Sequence, residues 1–281
     1  MLSVTMLSGY MYCPRKLYLE RVLGLYEPPK EALVRGSIRH ETYDLINKNE
    51  ERIVKSIESP EGIKEIFSYE YQKFLRLAIL KNKDGLRKFD LQLGQVFKET
   101  LPLLMAEVVN RSINISNFIK EHNIFGVELW EKLTPKIKSE FRVTSEKLGI
   151  KGIIDQIEVY ETGMVPIELK TGKAPKEGVW PGHKIQIAAY ALLLEEFNNK
   201  EVKEGFVTYL DTQERRHIPI NAFLRLEVQE LIDKVNDLLH SRDLPDYCAS
   251  ENKCNVCGLK NDCYNKLKMD KLLKSKPLNI S

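Results

Sequence analysis

Gly152-Ile153-Ile154-Asp155, followed by Pro166-Ile167-Glu168-Leu169-Lys170, decides how this chain folds. Both stretches read as β-strands, joined by the short turn Glu161-Thr162-Gly163. At period two, Asp155 shares a strand face with Ile153, Ile157 and Val159. On the second strand Glu168 and Lys170 share one face, and Ile167 and Leu169 the other. An acid on an otherwise apolar strand face is costly unless something compensates it. A divalent metal shared by Asp155 and Glu168, with Lys170 beside it, would do so.

Working outward, 139–147 alternates as a strand and turns at Leu148-Gly149 into the strand that carries Asp155. The loop Thr171-Gly172-Lys173-Ala174-Pro175 leads to a helix over 181–197. A hairpin at 204–210 and 215–220 and a closing helix over 221–241 follow. This order predicts an α/β core with a mixed sheet. Upstream, Pro14 opens a helix just after Cys13. A long helix over 30–56 carries Gly36 and His40 one turn apart. Ser59-Pro60-Glu61 signals a further helix to Lys81. Another helical stretch covers 86–119, with an expected break near Pro102, and extended structure begins from Val127. The expected division is 1–57, N-terminal helices with Cys13 and His40; 58–124, a helical insertion; 125–245, the core; and 246–281, a cysteine-bearing C-terminus with a basic tail.

The 281 residues are 43% hydrophobic and 30% charged, as in a globular protein, and the net charge of +3 neither demands nor excludes a nucleic-acid partner. No apolar run reaches membrane-span length and no signal-peptide pattern opens the chain, so the expected location is cytoplasmic, without membrane association. Five cysteines in such a chain read as metal ligands or free thiols rather than disulfides.

Three constellations carry chemistry. Asp155 and Glu168, helped by the Leu169 carbonyl, offer hard oxygen ligands to Mg²⁺ or Mn²⁺, and Lys170 offers charge for a phosphodiester transition state. The bland alternative is solvent-facing charge. Cys254-x2-Cys257-x5-Cys263 is one ligand short of a four-ligand site, with Cys13 or Cys248 as the fourth. That spacing fits zinc or an iron–sulfur cluster alike. Gln186-x3-Tyr190 places a polar and an aromatic side chain one helical turn apart, with base stacking or plain packing as the two readings. Arg76, Lys81, Lys83, Arg87 and Lys88 line either a nucleic-acid path or a solvated face. The tail adds Lys266, Lys268, Lys271, Lys274 and Lys276.

Taken in order, His40, Gly-x-x-Asp155, Glu168-x-Lys170 and Gln186-x3-Tyr190 resemble the RecB-like nucleases of the PD-(D/E)xK superfamily. Cys13 with Cys254, Cys257 and Cys263 narrows the resemblance to members stapled by a 4Fe–4S cluster. These are the CRISPR-associated Cas-four exonucleases and the nuclease domain of the Dna-two helicase–nuclease. It covers about 1–57 and 127–265. Within these residues no Gly-x4-Gly-Lys-Ser/Thr loop occurs, which favours the exonucleases.

The resemblance implies a restriction-endonuclease-like core with a mixed sheet flanked by helices. It implies His40, Asp155, Glu168 and the Leu169 carbonyl as ligands of Mn²⁺ or Mg²⁺, with Asp155, Glu168 and Lys170 catalytic. Gln186 and Tyr190 would support the site and the DNA. Cys13, Cys254, Cys257 and Cys263 would hold the 4Fe–4S cluster, leaving Cys248 dispensable. The implied activity is exonuclease cleavage of single-stranded DNA or overhangs for CRISPR spacer acquisition. Implied partners are single-stranded DNA and CRISPR integrase proteins, and homo-oligomerisation stays open. The alternatives are a stand-alone repair or viral nuclease of this fold, and a non-catalytic, zinc-stapled nucleic-acid-binding adaptor.

Overall fold

Two long strands form where the alternating runs predict them: β3 (Ile150–Tyr160) and β4 (Gly163–Lys170), paired antiparallel with Gln156 opposite Ile167. The computed structural model describes residues 1–275; Lys276 lies outside them. Preceding β3 are β1 (Leu2–Ser3) and β2 (Lys136–Ser145), and β5 (Glu204–Tyr209) and β6 (Glu214–Pro219) follow β4. The sheet runs β1-β3-β4-β5-β6, with β2 on β3. Parallel β1–β3 and β4–β5 pairs make it mixed.

Strand β2 covers one edge of β3 along its length. The other edge is divided: β1 takes 150–151 and β4 takes 156–160. Between them, 152–155 has no strand partner on that side, and that gap is Gly152-Ile153-Ile154-Asp155. Backbone groups left open there need other partners. The Ile153 carbonyl accepts from the Tyr190 hydroxyl at 2.9 Å, and the Leu169 N–H donates to Asp155 Oδ2 at 2.8 Å.

The helices are α1 (Val4–Tyr12), α2 (Pro14–Arg21), α3 (Glu31–Lys55), α4 (Ile63–Lys81), α5 (Lys83–Arg87), α6 (Leu93–His122), α7 (Gly126–Lys132), α8 (Pro181–Asn198) and α9 (Ala222–His240). Three short ones follow within the described residues: α10 (Glu251–Asn255), α11 (Lys260–Tyr264) and α12 (Lys266–Ser275). One core joins Ile154 and Ile157 to α1, α8 and α9. A second joins Ile167 and Leu169, on the opposite face of β4, to α3, α4, α6 and α7. Asn221 caps α9, accepting from the Leu224 N–H at 2.9 Å, and Leu224, Val228, Leu231, Ile232 and Val235 supply its buried stripe.

Three boundaries differ from the sequence expectation. Helix α4 begins at Ile63 rather than Ser59, because Gly62 at φ 74° lies in the left-handed region, outside helical geometry. The stretch over 86–119 is divided near Asp90 (φ 55°), and α6 then continues through Pro102. Pro102 is on the exposed side of α6, where water can serve the carbonyl it leaves free. Residues 126–132 are helical, so extended structure starts at Lys136 rather than Val127.

Gly152 has a steric reason to be glycine: a Cβ there would stand 2.5 Å from Tyr190 Cε1. Gly152→Ala is expected to cost about 1–3 kcal/mol through overpacking. Thermal unfolding checks this, and an unchanged melting curve would contradict the close approach.

Candidate active site and cysteine cradle

At the gap in β3 the side chains from three elements meet. Helix α3 brings His40, whose Nδ1 lies 3.3 Å from Asp155 Oδ1. Strand β2 brings Glu140, which falls between the pairs Ser139–Gln156 and Phe141–Ile154 and so at the level of Asp155. Ligand atoms of His40, Glu140 and Asp155 all lie within 4.8 Å of one another. An imidazole beside two carboxylates is a donor set that suits Mn²⁺ or Mg²⁺. Asp155 holds the His40 imidazole above its ordinary pKa, against the burial that pulls it down. Burial and the Asp155 charge push the Glu140 carboxyl up.

Glu140 was not singled out from the sequence. Its backbone carries the signal: φ is 49° in the middle of a strand. A non-glycine residue in the left-handed region costs on the order of 1–3 kcal/mol and persists only where its surroundings enforce it. In the sequence, Ser139-Glu140-Phe141 is ordinary strand alternation, so only the structure exposes it.

Glu168 and Lys170 sit on the α8 side of β4. Glu168 is only 4% exposed, and its Oε2 has no hydrogen-bond partner. Its Oε1 accepts from Lys170 Nζ and from Gln186 Nε2, both at 2.6 Å. Lys170 Nζ also donates to Gln186 Oε1 at 3.0 Å, and Gln186 Nε2 donates to Tyr190 Oη at 3.0 Å. Only this amide orientation presents an oxygen to the ammonium and hydrogens to the carboxylate. Burial first, then the Asp155 charge, pushes the Glu168 carboxyl well above the usual carboxylate range, with Lys170 and His40 opposing. A carboxylate oxygen buried without a partner is expensive unless a cation meets it.

Two open readings are narrowed. Tyr190 is 1% exposed, so of its two readings packing applies; its hydroxyl serves the Ile153 carbonyl. Asp155 is half-buried and Ile153 beside it is 39% exposed, so the face opens at the gap. Glu168 holds the buried position. Arg76, Lys81, Lys83, Arg87 and Lys88 are on the surface: Arg76 lies over the Phe97 ring, Lys81 pairs with Glu41 and Arg87 with Asp84.

Cys13, Cys248, Cys254, Cys257 and Cys263 line one cavity. Cys13 caps α2, its sulfur accepting from the Lys16 N–H at 3.3 Å. Arg15 reaches across to the C-terminal segment, with Nε 3.1 Å from Cys263 Sγ and Nη1 2.6 Å from the Pro245 carbonyl. Its guanidinium covers the Tyr247 ring, which stacks on Tyr264. Thiolate ligands fit a zinc ion or an iron–sulfur group, and convergence from both chain ends makes such a group a staple.

Glu27 fastens this cradle from outside. Its carboxylate meets Lys16 at 3.1 Å, Lys30 at 2.9 Å and the Gly258 N–H at 2.8 Å. Burial pushes its carboxyl up, but these donors outweigh it and hold the pKa at about 2, below the ordinary 4.5. The stabilisation is therefore present above pH 4.5 and lost as pH falls toward 2. It is worth about 2 kcal/mol. Acid unfolding of Glu27→Gln is expected to show less pH dependence in that window than the unsubstituted protein; identical curves would contradict the linkage.

Among curated proteins, the chain is 32% identical over 149 residues to a CRISPR-associated exonuclease Cas4/endonuclease Cas1 fusion of Leptospira interrogans, covering 49% of this chain and 27% of that protein. It is 33% identical over 124 residues to the CRISPR-associated exonuclease Cas4 of Francisella tularensis subsp. novicida, covering 43% of this chain and 59% of that one. The DNA replication ATP-dependent helicase/nuclease dna2 of Schizosaccharomyces pombe is 23% identical over 278 residues, 94% of this chain and 18% of that protein. The chain thus spans about a quarter of the fusion's length and under two thirds of the Cas4 relative's. The family model described as the PD-(D/E)XK nuclease superfamily matches residues 1–264, a span that includes all the cradle's cysteines and the gap in β3, and the chain belongs to that superfamily.

Proposed function

We propose that this protein is a metal-dependent DNA exonuclease acting on single-stranded DNA or overhangs. The observation that carries this reading is the convergence at the gap in β3: His40, Glu140 and Asp155 side by side, with Glu168–Lys170 on the adjoining strand. His40, Glu140, Asp155 and the free oxygen of Glu168 would hold Mn²⁺ or Mg²⁺, assisted by the Leu169 carbonyl. Such an ion supplies an acidified water and neutralises phosphate charge. The chain's own residues do the rest. The Leu169 N–H fixes Asp155, and Asp155 orients the His40 ring. Gln186, itself held by Tyr190, aims the Lys170 ammonium at the mouth of the site, where it offsets charge on the cleaved phosphate. Arg76, Lys83, Arg87 and Lys88 on the helices of 58–124 would guide the strand.

In the cradle, Cys13, Cys254, Cys257 and Cys263 would bind a 4Fe–4S cluster and tie α2 to the C-terminal segment. The biological role proposed is processing of DNA for CRISPR spacer acquisition in the cytoplasm, beside an integrase of the Cas1 kind. Its support is the similarity to proteins named as CRISPR-associated exonucleases, one of them fused to an endonuclease Cas1. A stand-alone nuclease outside CRISPR adaptation is the second reading, favoured by a match over 94% of the chain to a protein named as a DNA replication helicase/nuclease. Linear and circular single-stranded DNA separate exonuclease from endonuclease. With Mn²⁺, the linear form is expected to be degraded at least about tenfold faster. Equal rates on both would overturn the exonuclease assignment.

A further inference from the structure

The chain has two tryptophans. Trp130 has the Lys136 ammonium 5.5 Å from its ring centre. Trp180 is 47% exposed, and among the described residues no aromatic ring or cation covers it. It is nevertheless held still. Its ring nitrogen donates to the Lys173 carbonyl at 3.0 Å, and its backbone N–H donates to Tyr209 Oη at 3.3 Å. Pro181 follows and restricts Trp180 to extended backbone, at φ −60° and ψ 139°. Arg216 fastens the loop just before it by donating to the Gly178 carbonyl. A large ring that is already fixed loses little freedom when it takes a partner.

These anchors also place the ring beside the site. Tyr209 stands opposite Lys170 in the parallel β4–β5 pair. The Tyr209 hydroxyl that holds Trp180 also meets His183 Nδ1 at 3.1 Å. Burial and then the Lys170 charge push that imidazole down to about 4, so it stays neutral near the lysine. Gln186, which touches Lys170, lies six residues beyond Trp180. At helical rise that is about 9 Å, the height of roughly two to three stacked nucleotides. Lys173, Lys176 and Lys184 flank Trp180 in sequence, are exposed and have no ion-pair partner among the described residues. Glu177 is the only acid of 171–184.

We propose that Trp180 is the stacking platform for one base of the bound single strand, a few nucleotides from the bond that is cut. Lys173, Lys176 and Lys184 meet the phosphates around it. An indole face takes any unpaired base, whereas bases inside a duplex already stack on their neighbours. The contact therefore favours unpaired strands, and Trp180 is a specificity residue rather than a catalytic one. The inference deepens the nuclease reading and rests on it for the position of the cut bond; the stack itself rests on the exposed, anchored ring.

The test reads binding without cleavage, in chelator, by fluorescence anisotropy of full-length protein with two labelled strands. One is a single strand of thymidines; the other has the same length and phosphates but base-free sugars. Trp180→Ala is expected to weaken binding of the thymidine strand about tenfold and to leave the base-free strand within about twofold. Trp180→Phe, which keeps a ring, should recover most of the loss. In Trp130→Phe, where Trp180 is the only indole, the thymidine strand should quench the tryptophan emission and the base-free strand should not. Thymidine-strand binding by Trp180→Ala equal to that of the unsubstituted protein, equal losses on both strands, or emission that neither strand quenches would overturn the proposal. Base-dependent loss and quenching in a protein that cleaves nothing with Mn²⁺ would overturn the nuclease reading instead, and leave the stack standing.

Discussion

Lys170→Ala is expected to lower metal-dependent DNA cleavage by about 10³-fold while leaving single-stranded DNA affinity within about threefold. The side chain acts in two ways. Its ammonium sits at the mouth of the site, held by Glu168 at 2.6 Å and Gln186 at 3.0 Å, so its charge is already positioned for the transition state. It also opposes the burial and the Asp155 charge that push Glu168 toward its neutral form. Removing it therefore weakens a carboxylate that a metal needs ionised. Lys170→Arg keeps the charge but replaces a compact ammonium with a planar fork, so it should recover only part of the rate. DNA affinity is spread over many basic side chains and should change little. Single-turnover cleavage and fluorescence anisotropy read the two effects separately. Full activity in Lys170→Ala would remove the lysine from the mechanism.

Arg111→Met is expected to destabilise the fold on the order of 3–5 kcal/mol, which no surface ion pair here should match. Arg111 on α6 is 6% exposed and Glu50 on α3 is 2% exposed, with Nε to Oε1 at 2.5 Å. The pair joins the helices of 58–124 to the helix that carries His40. Glu50 Oε2 has no partner even in the intact protein, and the half-buried Glu107 close by has its carboxyl pushed up by desolvation. Without Arg111, Glu50 is an uncompensated buried charge. The double variant Arg111→Met/Glu50→Leu removes that charge and should regain most of the loss. Chemical denaturation of the two variants tests this: equal destabilisation of single and double would mean that packing, not the orphaned carboxylate, sets the effect.

The sheet and its site were legible to different depths. The strands at 150–160 and 163–170, the hairpin that follows and the flanking helices could be read from period and turn residues, because each carries enough repeats to show its pattern. β1 could not: two residues, Leu2 and Ser3, carry no period, and only the edge of β3 makes them a strand. The start of α4 was misplaced because Ser59-Pro60 imitates a cap while Gly62 sets the boundary. At the site, Asp155, Glu168, Lys170 and Gln186 are close in sequence or one helical turn from a partner. Glu140 is identified only by its strained backbone and by its place opposite Asp155, neither of which composition or spacing encodes. For Tyr190 base stacking and packing are both open in the sequence, because a sequence does not say which side of a helix the sheet covers. The gap in β3 explains the Gly-x-x-Asp spacing: glycine admits the Tyr190 ring, and the acid stands at the far end of the unpaired stretch.

The central claim is that the gap in β3 is a metal-dependent nuclease site. Its most direct test is cleavage of end-labelled linear single-stranded DNA by the purified protein, with Mn²⁺ titrated in and then removed by chelator. The expected result is degradation that rises with Mn²⁺, stops on chelation, and is absent from Asp155→Ala at every Mn²⁺ concentration. Cleavage that persists in chelator, or equal cleavage by Asp155→Ala, would contradict it.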